Sequence, residues 1–174
     1  MMQSGNQVGT GRNTIEPLFD TVDLNAAGIS ASAYIKLTDY DHVSLLIHFG
    51  VITTGASAAI TVVGSDDSNG THTVALTPLR WRKKVGKAAW GAMASKATSL
   101  TVVAGGDIVP VTDAGAYALI EIDAAEILAL SSTYDLQYVR LAISNPGSVS
   151  VLASGEAILS KGTLMTEPPL VQAV

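Results

Sequence analysis

The chain contains no cysteine, which excludes disulfides, thiolate metal sites and cysteine nucleophiles while leaving the redox compartment open. Aromatic residues are scarce: two Phe, two Trp and five Tyr amount to 5% of the sequence, so a core has to be assembled from Val, Ile, Leu and Ala. No stretch reaches the roughly 18 consecutive apolar residues of a membrane-spanning helix, because every apolar run is interrupted by Ser, Thr, Gly, His or a charge. No membrane partner is expected. The first ten residues lack the basic start and apolar stretch of a secretory signal. Motifs of known chemistry are missing as well: there is no Gly-x-Ser-x-Gly elbow, no His-Glu-x-x-His and no Walker loop, and the pair Gly105-Gly106 has no phosphate-binding context. Neither an enzyme nor a cofactor is expected.

What the sequence does have is alternation. Hydrophobic residues make up 48% of its 174 positions, and a single domain of this length buries about 70% of the surface its unfolded chain exposes. Over residues 42–49, Val43, Leu45, Ile47 and Phe49 point one way and His42, Ser44, Leu46 and His48 the other, the period of a half-buried strand. Residues 58–63, 71–76, 100–103, 116–122, 136–144 and 148–160 read as further strands separated by Gly, Pro, Asn or Asp clusters. That spacing predicts an all-β antiparallel sandwich. Ser65-Asp66-Asp67-Ser68-Asn69-Gly70 predicts a hairpin tip, and Asn145-Pro146-Gly147 predicts a hairpin joining the last two strands. Residues 83–97 are Ala-rich and read as helical, and 124–130 as a short helix or turn. Residues 1–32 show no sustained period and read as an extended arm. The sandwich then spans 33–161, and 162–174, with Pro168-Pro169, is an extended tail.

The histidines do not form a metal site by spacing. His42 and His48 share a face but lie six residues apart, about 20 Å along a strand, and bringing His72 beside either requires a register that spacing does not fix. Solvent-facing histidines are expected. The Asp67-to-Gly70 stretch departs from a calcium loop, with Ser65 at the first ligand position and Leu76 at the bidentate one. Asn69-Gly70-Thr71 matches a glycosylation sequon, but a tight turn is the better reading. Asp39 and Asp41 flank Tyr40 as an acid/base pair would, but turn capping explains them better.

Charge is unevenly placed. The net charge is -5, yet six of the ten Lys and Arg residues fall between positions 80 and 96. Arg80-Trp81-Arg82-Lys83-Lys84, with Trp90 close behind, interleaves cations and aromatics, the composition of a nucleic-acid surface and equally of a protein interface. An interface with acidic protein is the preferred reading, and nucleic acid is not the expected partner. Leu152 and Ile158 break the polar face of the last strand, and Ile15 and Phe19 are apolar positions of the N-terminal arm. All four are candidate contacts.

Four stretches together resemble small structural proteins of tailed-phage heads: Asp39-Tyr40-Asp41-His42-Val43-Ser44, residues 60–70, Ala118-Leu119-Ile120-Glu121-Ile122-Asp123-Ala124-Ala125-Glu126-Ile127, and Tyr138-Val139-Arg140-Leu141-Ala142-Ile143-Ser144. The resemblance runs from about Lys36 to Leu159 and lapses over residues 80–97, which are more basic and Ala-rich. It implies a jelly-roll-like sandwich acting as a capsid decoration, cement or minor capsid protein on the outside of a phage head. Its implied partners are the major capsid protein and, in a homotrimer, itself, and it implies synthesis in the host cytoplasm. Truncation of residues 1–30 is expected to abolish capsid binding and leave the sandwich folded. The competing reading is a carbohydrate- or receptor-binding jelly-roll module of a virion, against which the few aromatics weigh.

Overall fold

The alternating strands form. In the computed structural model, which describes residues 11–27, 30–52, 55–109, 115–147 and 149–162, β4 (His42–Ile52) buries Val43, Leu45, Ile47 and Phe49 at 0–1% exposure. β10 (Ala116–Asp123) buries Ala116, Ala118, Ile120 and Ile122, and β11 (Tyr138–Ile143) buries Val139, Leu141 and Ile143. β12 (Val151–Gly162) turns Val151, Ala153, Ala157 and Leu159 inward. Each fully buried Ile or Leu contributes about 1.5–3 kcal/mol relative to exposure, which makes these faces the source of the fold's stability.

The other elements are β1 (Gly11–Asp23), α1 (Leu24–Ala27), β2 (Ser30–Ala31), β3 (Ile35–Lys36), β5 (Ala58–Ser65), β6 (Thr73–Ala75), β7 (Leu79–Val85), β8 (Ala94–Lys96), β9 (Leu100–Val102) and α2 (Ala124–Ala129). They build two antiparallel sheets packed face to face. The first runs β1-β12-β4-β10-β7-β8; in the second, β2 and β3 pair with β11, which pairs with β5, and β5 carries β6 and β9. β2 and β3 act as one strand broken at Ser32, whose hydroxyl donates to Ala33 O (2.9 Å) and accepts from Leu141 N (3.0 Å). β6 and β9 are likewise two halves of one strand along β5. Counted so, with β7–β8 set aside, eight strands pair first with last, second with seventh, third with sixth and fourth with fifth. This is one long hairpin rolled up, the wiring of a jelly roll.

Four expectations change. Residues 11–23, read as arm, are the first strand of the roll, paired with β12 from Gly11↔Gly162 to Asp23↔Leu152. Leu18 and Leu24 enter the core at 4% and 0% exposure. The period was hidden by register shifts between Pro17 and Phe19 and between Phe19 and Val22, since each extra residue moves the following side chains to the other face. Residues 83–97 contain no helix: β7 pairs with β10, and β8 folds back on β7. Asn145-Pro146-Gly147 does not close a hairpin, because β11 and β12 lie in different sheets. The stretch is instead an arch across the sandwich, with Gly147 at φ 95 and its N–H on Asn145 Oδ1 at 2.8 Å. Among the histidines, His42 is not simply solvent-facing: each of its ring nitrogens lies against a carboxylate, Asp123 or Glu121. The tip at 65–70 does form a hairpin, β5 with β6. There Gly70, at φ 75, lies under the Tyr34 ring, where a Cβ would come within 2.0 Å of the Tyr34 hydroxyl, so only glycine fits. The short helix is found at α2, N-capped by Asp123 with Glu126 reaching back to its N–H at 3.1 Å. Residues 1–10 and 163–174, the remainder of the expected arm and tail, lie outside the described residues.

Candidate interaction face

Cross-strand register sets out the outward face of the first sheet in rows. Ser154, His48, Tyr117 and Lys84 stand side by side across β12, β4, β10 and β7; Glu156, Leu46, Leu119 and Arg82 form the next row. Then come Ile15, Ile158, Ser44, Glu121 and Arg80, and at the end Ser160, His42 and Asp123. Period two put each of these side chains on one surface, and antiparallel pairing aligned them.

The end of the face near Asp123 is a closed ionic network. His42 Nδ1 lies 2.9 Å from Asp123 Oδ1 and its Nε2 2.7 Å from Glu121 Oε2. Ser44 donates to that same Glu121 oxygen at 2.6 Å. Arg80 donates to Asp123 Oδ2 (2.8 Å) and Glu126 Oε2 (3.0 Å). With a carboxylate on each ring nitrogen, His42 donates from both, which requires the imidazolium. Burial works to lower its pKa, but the hydrogen bonds to Asp123 and Glu121 outweigh it and raise it. Asp123 is held below the usual carboxylate range chiefly by its hydrogen bond to His42, burial opposing and Arg80 assisting. Both ring nitrogens of His42 are thus engaged by carboxylates. Among the described residues, no group of three or more His, Asp or Glu side chains is arranged to hold a metal ion.

This network has a pH signature. With a raised folded-state pKa, His42 contributes stability that is complete below the free imidazole value of about 6.5 and is lost as pH rises through the folded value. Asp123, with a lowered pKa, contributes stability present above the free carboxylate value and lost as pH falls through its own folded value. Urea midpoints measured from about pH 5 to 9 should therefore decline on the alkaline side, and His42→Gln should flatten that decline. An unchanged slope in the variant would exclude His42 as its source.

The opposite end carries the basic segment. The Tyr117 ring is stacked on His48 (centroids 4.5 Å, 12°), with Lys84 Nζ over it at 5.7 Å. Trp90 meets Tyr117 edge-on at 6.4 Å, and the Arg82 guanidinium lies over Trp90 at 5.3 Å. The carboxylate near Arg82 is Glu121, at 3.7 Å. The result is a pre-stacked array of two cations and three rings.

The candidate residues thus separate. Arg82, Lys84 and Trp90 come together. Arg80 is neutralised in the network, and Lys83 donates to Asp107 O at 2.6 Å. Trp81 requires correction: it faces inward at 6% exposure as a member of the core, because 79–85 is a strand in which Leu79 and Trp81 share the buried side. Ile15, 66% exposed, stands opposite Ile158, while Leu152, 50% exposed, is far along β12 opposite Asp23. Phe19 also departs from expectation: it packs against the core over Gly155, where a Cβ would meet its ring at 2.6 Å. Tyr117, His48, Glu121 and Asp123 were not singled out from the sequence as parts of this face. The signal was present in the alternation of residues 116–123.

The described molecule is an all-β jelly-roll sandwich whose outward sheet carries this array. No family model matches the sequence, and no curated protein does. Among solved structures it is similar to the SPBc2 prophage-derived protein YomS, at 10% identity and a TM-score of 0.42 over 90% of this chain and 100% of that one. It is also similar to the D431N mutant VP2 protein of infectious bursal disease virus, from derived T=1 particles, at 11% identity and a TM-score of 0.26 over 86% of this chain and 40% of that one.

Proposed function

We propose that the chain is a non-enzymatic structural protein of a phage virion, binding the outside of the head and stabilising contacts between capsid subunits. Its partners on this reading are the major capsid protein and its own copies in a homotrimer. The sequence resemblance motivates the reading, and the observation that carries it is the array of Arg82, Lys84, Trp90, Tyr117 and His48. Arg and Trp are the residues that dominate protein-binding hot spots, and here their rotamers are already fixed by stacking, which lowers the entropy cost of binding.

The array also discriminates between partners. A sugar ring or a nucleobase stacks on an open aromatic face, but Tyr117 has His48 on one side and Lys84 on the other, and Trp90 has Arg82 on one face. The array also presents the cations Arg82 and Lys84, suited to the carboxylates of an acidic protein surface. The net charge of -5 weighs against a polyanion such as nucleic acid.

Co-sedimentation with purified expanded capsids tests this. Arg82→Glu combined with Trp90→Ala should weaken binding by at least about 30-fold, the loss of a hot spot worth about 2 kcal/mol, with the melting temperature preserved. Unchanged capsid binding would overturn the assignment of this face, and reproducible binding on a glycan array would favour the receptor-binding module instead.

A further inference from the structure

Two features of the molecule contribute no side chain to the array. The first is the tip of the turn that leaves β7, between Lys84 and Trp90. Its tip is ordered by hydrogen bonds from Gly86 N to Gly115 O (2.7 Å), from Ala88 N to Val85 O (3.0 Å) and from Gly91 N to Lys83 O (2.8 Å). It presents Val85, 38% exposed, together with exposed Lys87, Ala88 and Ala89. The second is a groove of about 410 Å³ between α2 and the β3–β4 and α2–β11 loops. Its lining is largely apolar, including Leu37, Leu136, Ala124 and Leu128, the last 50% exposed, and Asp41 and Asp135 supply carboxylates.

We infer that the turn at Val85–Lys87 of one copy seats in this groove of a second copy, with Val85 on the apolar lining and Lys87 directed to Asp135. Charge and size agree with this occupant. A lysine lays its aliphatic stem along apolar surface and keeps its ammonium in water, so an apolar groove with a carboxylate suits it better than it suits an apolar tip alone. The groove volume falls within the roughly 300–1,000 Å³ of small binding pockets, ample for a two-residue tip. The two features cannot meet within one molecule. Val85 pairs with Ala116 at the start of β10 and the groove lies beyond Asp123 at its end, roughly 25 Å away at the rise of a strand. A contact between opposite ends of one body is heterologous, so it closes into a ring only if its rotation divides a full turn.

This deepens the self-association part of the proposed function and is separable from capsid binding, because Val85, Lys87 and Asp135 are outside the array. Sedimentation velocity across a concentration series is the experiment. The unaltered protein should associate; Lys87→Glu and Asp135→Lys should each raise the dissociation constant about tenfold, and the two together in one chain should restore most of the affinity. Circular dichroism melts verify that each variant remains folded. A protein that is monomeric at every concentration overturns the inference, as do single variants that leave association unchanged or a double variant that fails to recover it. Any of these results leaves the capsid test of Arg82 and Trp90 standing.

Discussion

Deletion of residues 1–23 is expected to abolish cooperative folding. The truncation removes β1, and with it Leu18 from the core, the Phe19 ring over Gly155 and the half-buried Val22. It also detaches Leu24, which follows β1 in α1 and is fully buried. At about 1.5–3 kcal/mol for each large buried side chain, the loss is on the order of 5–10 kcal/mol, comparable to the whole stability of a domain. It further strips β12 of its outer partner and leaves that side of its backbone as an open edge that invites pairing with other chains. The intact protein limits that hazard at its own edge, where β1 carries Pro17 and two register shifts. A cooperative melt of the 24–174 fragment near that of the full chain, by circular dichroism, would refute this account of β1. The expectation that residues 1–30 can be removed with the sandwich intact is incompatible with Leu18 and Leu24 being core residues. A binding test by truncation should leave β1 in place.

The two tryptophans should behave oppositely. Trp81→Ala opens a cavity in the core and is expected to cost about 3–5 kcal/mol in urea unfolding. Trp90→Ala removes a half-buried ring from the outward face, where changes usually stay within about 0.5 kcal/mol. Its effect should appear in partner binding instead. If both variants lose similar stability, Trp90 belongs to the fold and not to an interface.

How far the sequence discloses this molecule depends on what alternation can carry. It identifies which face of a strand is buried, and so β4, β5, β10, β11 and β12 were legible at nearly their observed positions. It does not name a strand's neighbour. Asn145-Pro146-Gly147 therefore reads as a hairpin turn whether the chain doubles back in one sheet or crosses to the other, and in a jelly roll it crosses. The basic segment failed for a different reason. Leu79 and Trp81 alternate with Arg80 and Arg82, but Lys83 and Lys84 place cations on both faces where β7 leaves the core, so composition drew more notice than period. The helix expected over 83–97 rested on alanine propensity, a weak preference that pairing with β10 overrides. Of the site, the cations and Trp90 were visible as a cluster. Their stacking partners Tyr117 and His48 come from β10 and β4, and only the sheet register brings these together.

The nested pairing of the roll constrains how the chain can be made. Among the described residues, every strand paired with β1, β2, β3 or β4 is β10, β11 or β12. Strands β1 to β4 can complete no sheet of their own until residue 116 and those after it have been synthesised. Contacts so distant in sequence form slowly, and an emerging chain of this kind holds apolar, unpaired strands exposed throughout most of its translation. The fold closes only when the last strand, β12, slots between β1 and β4.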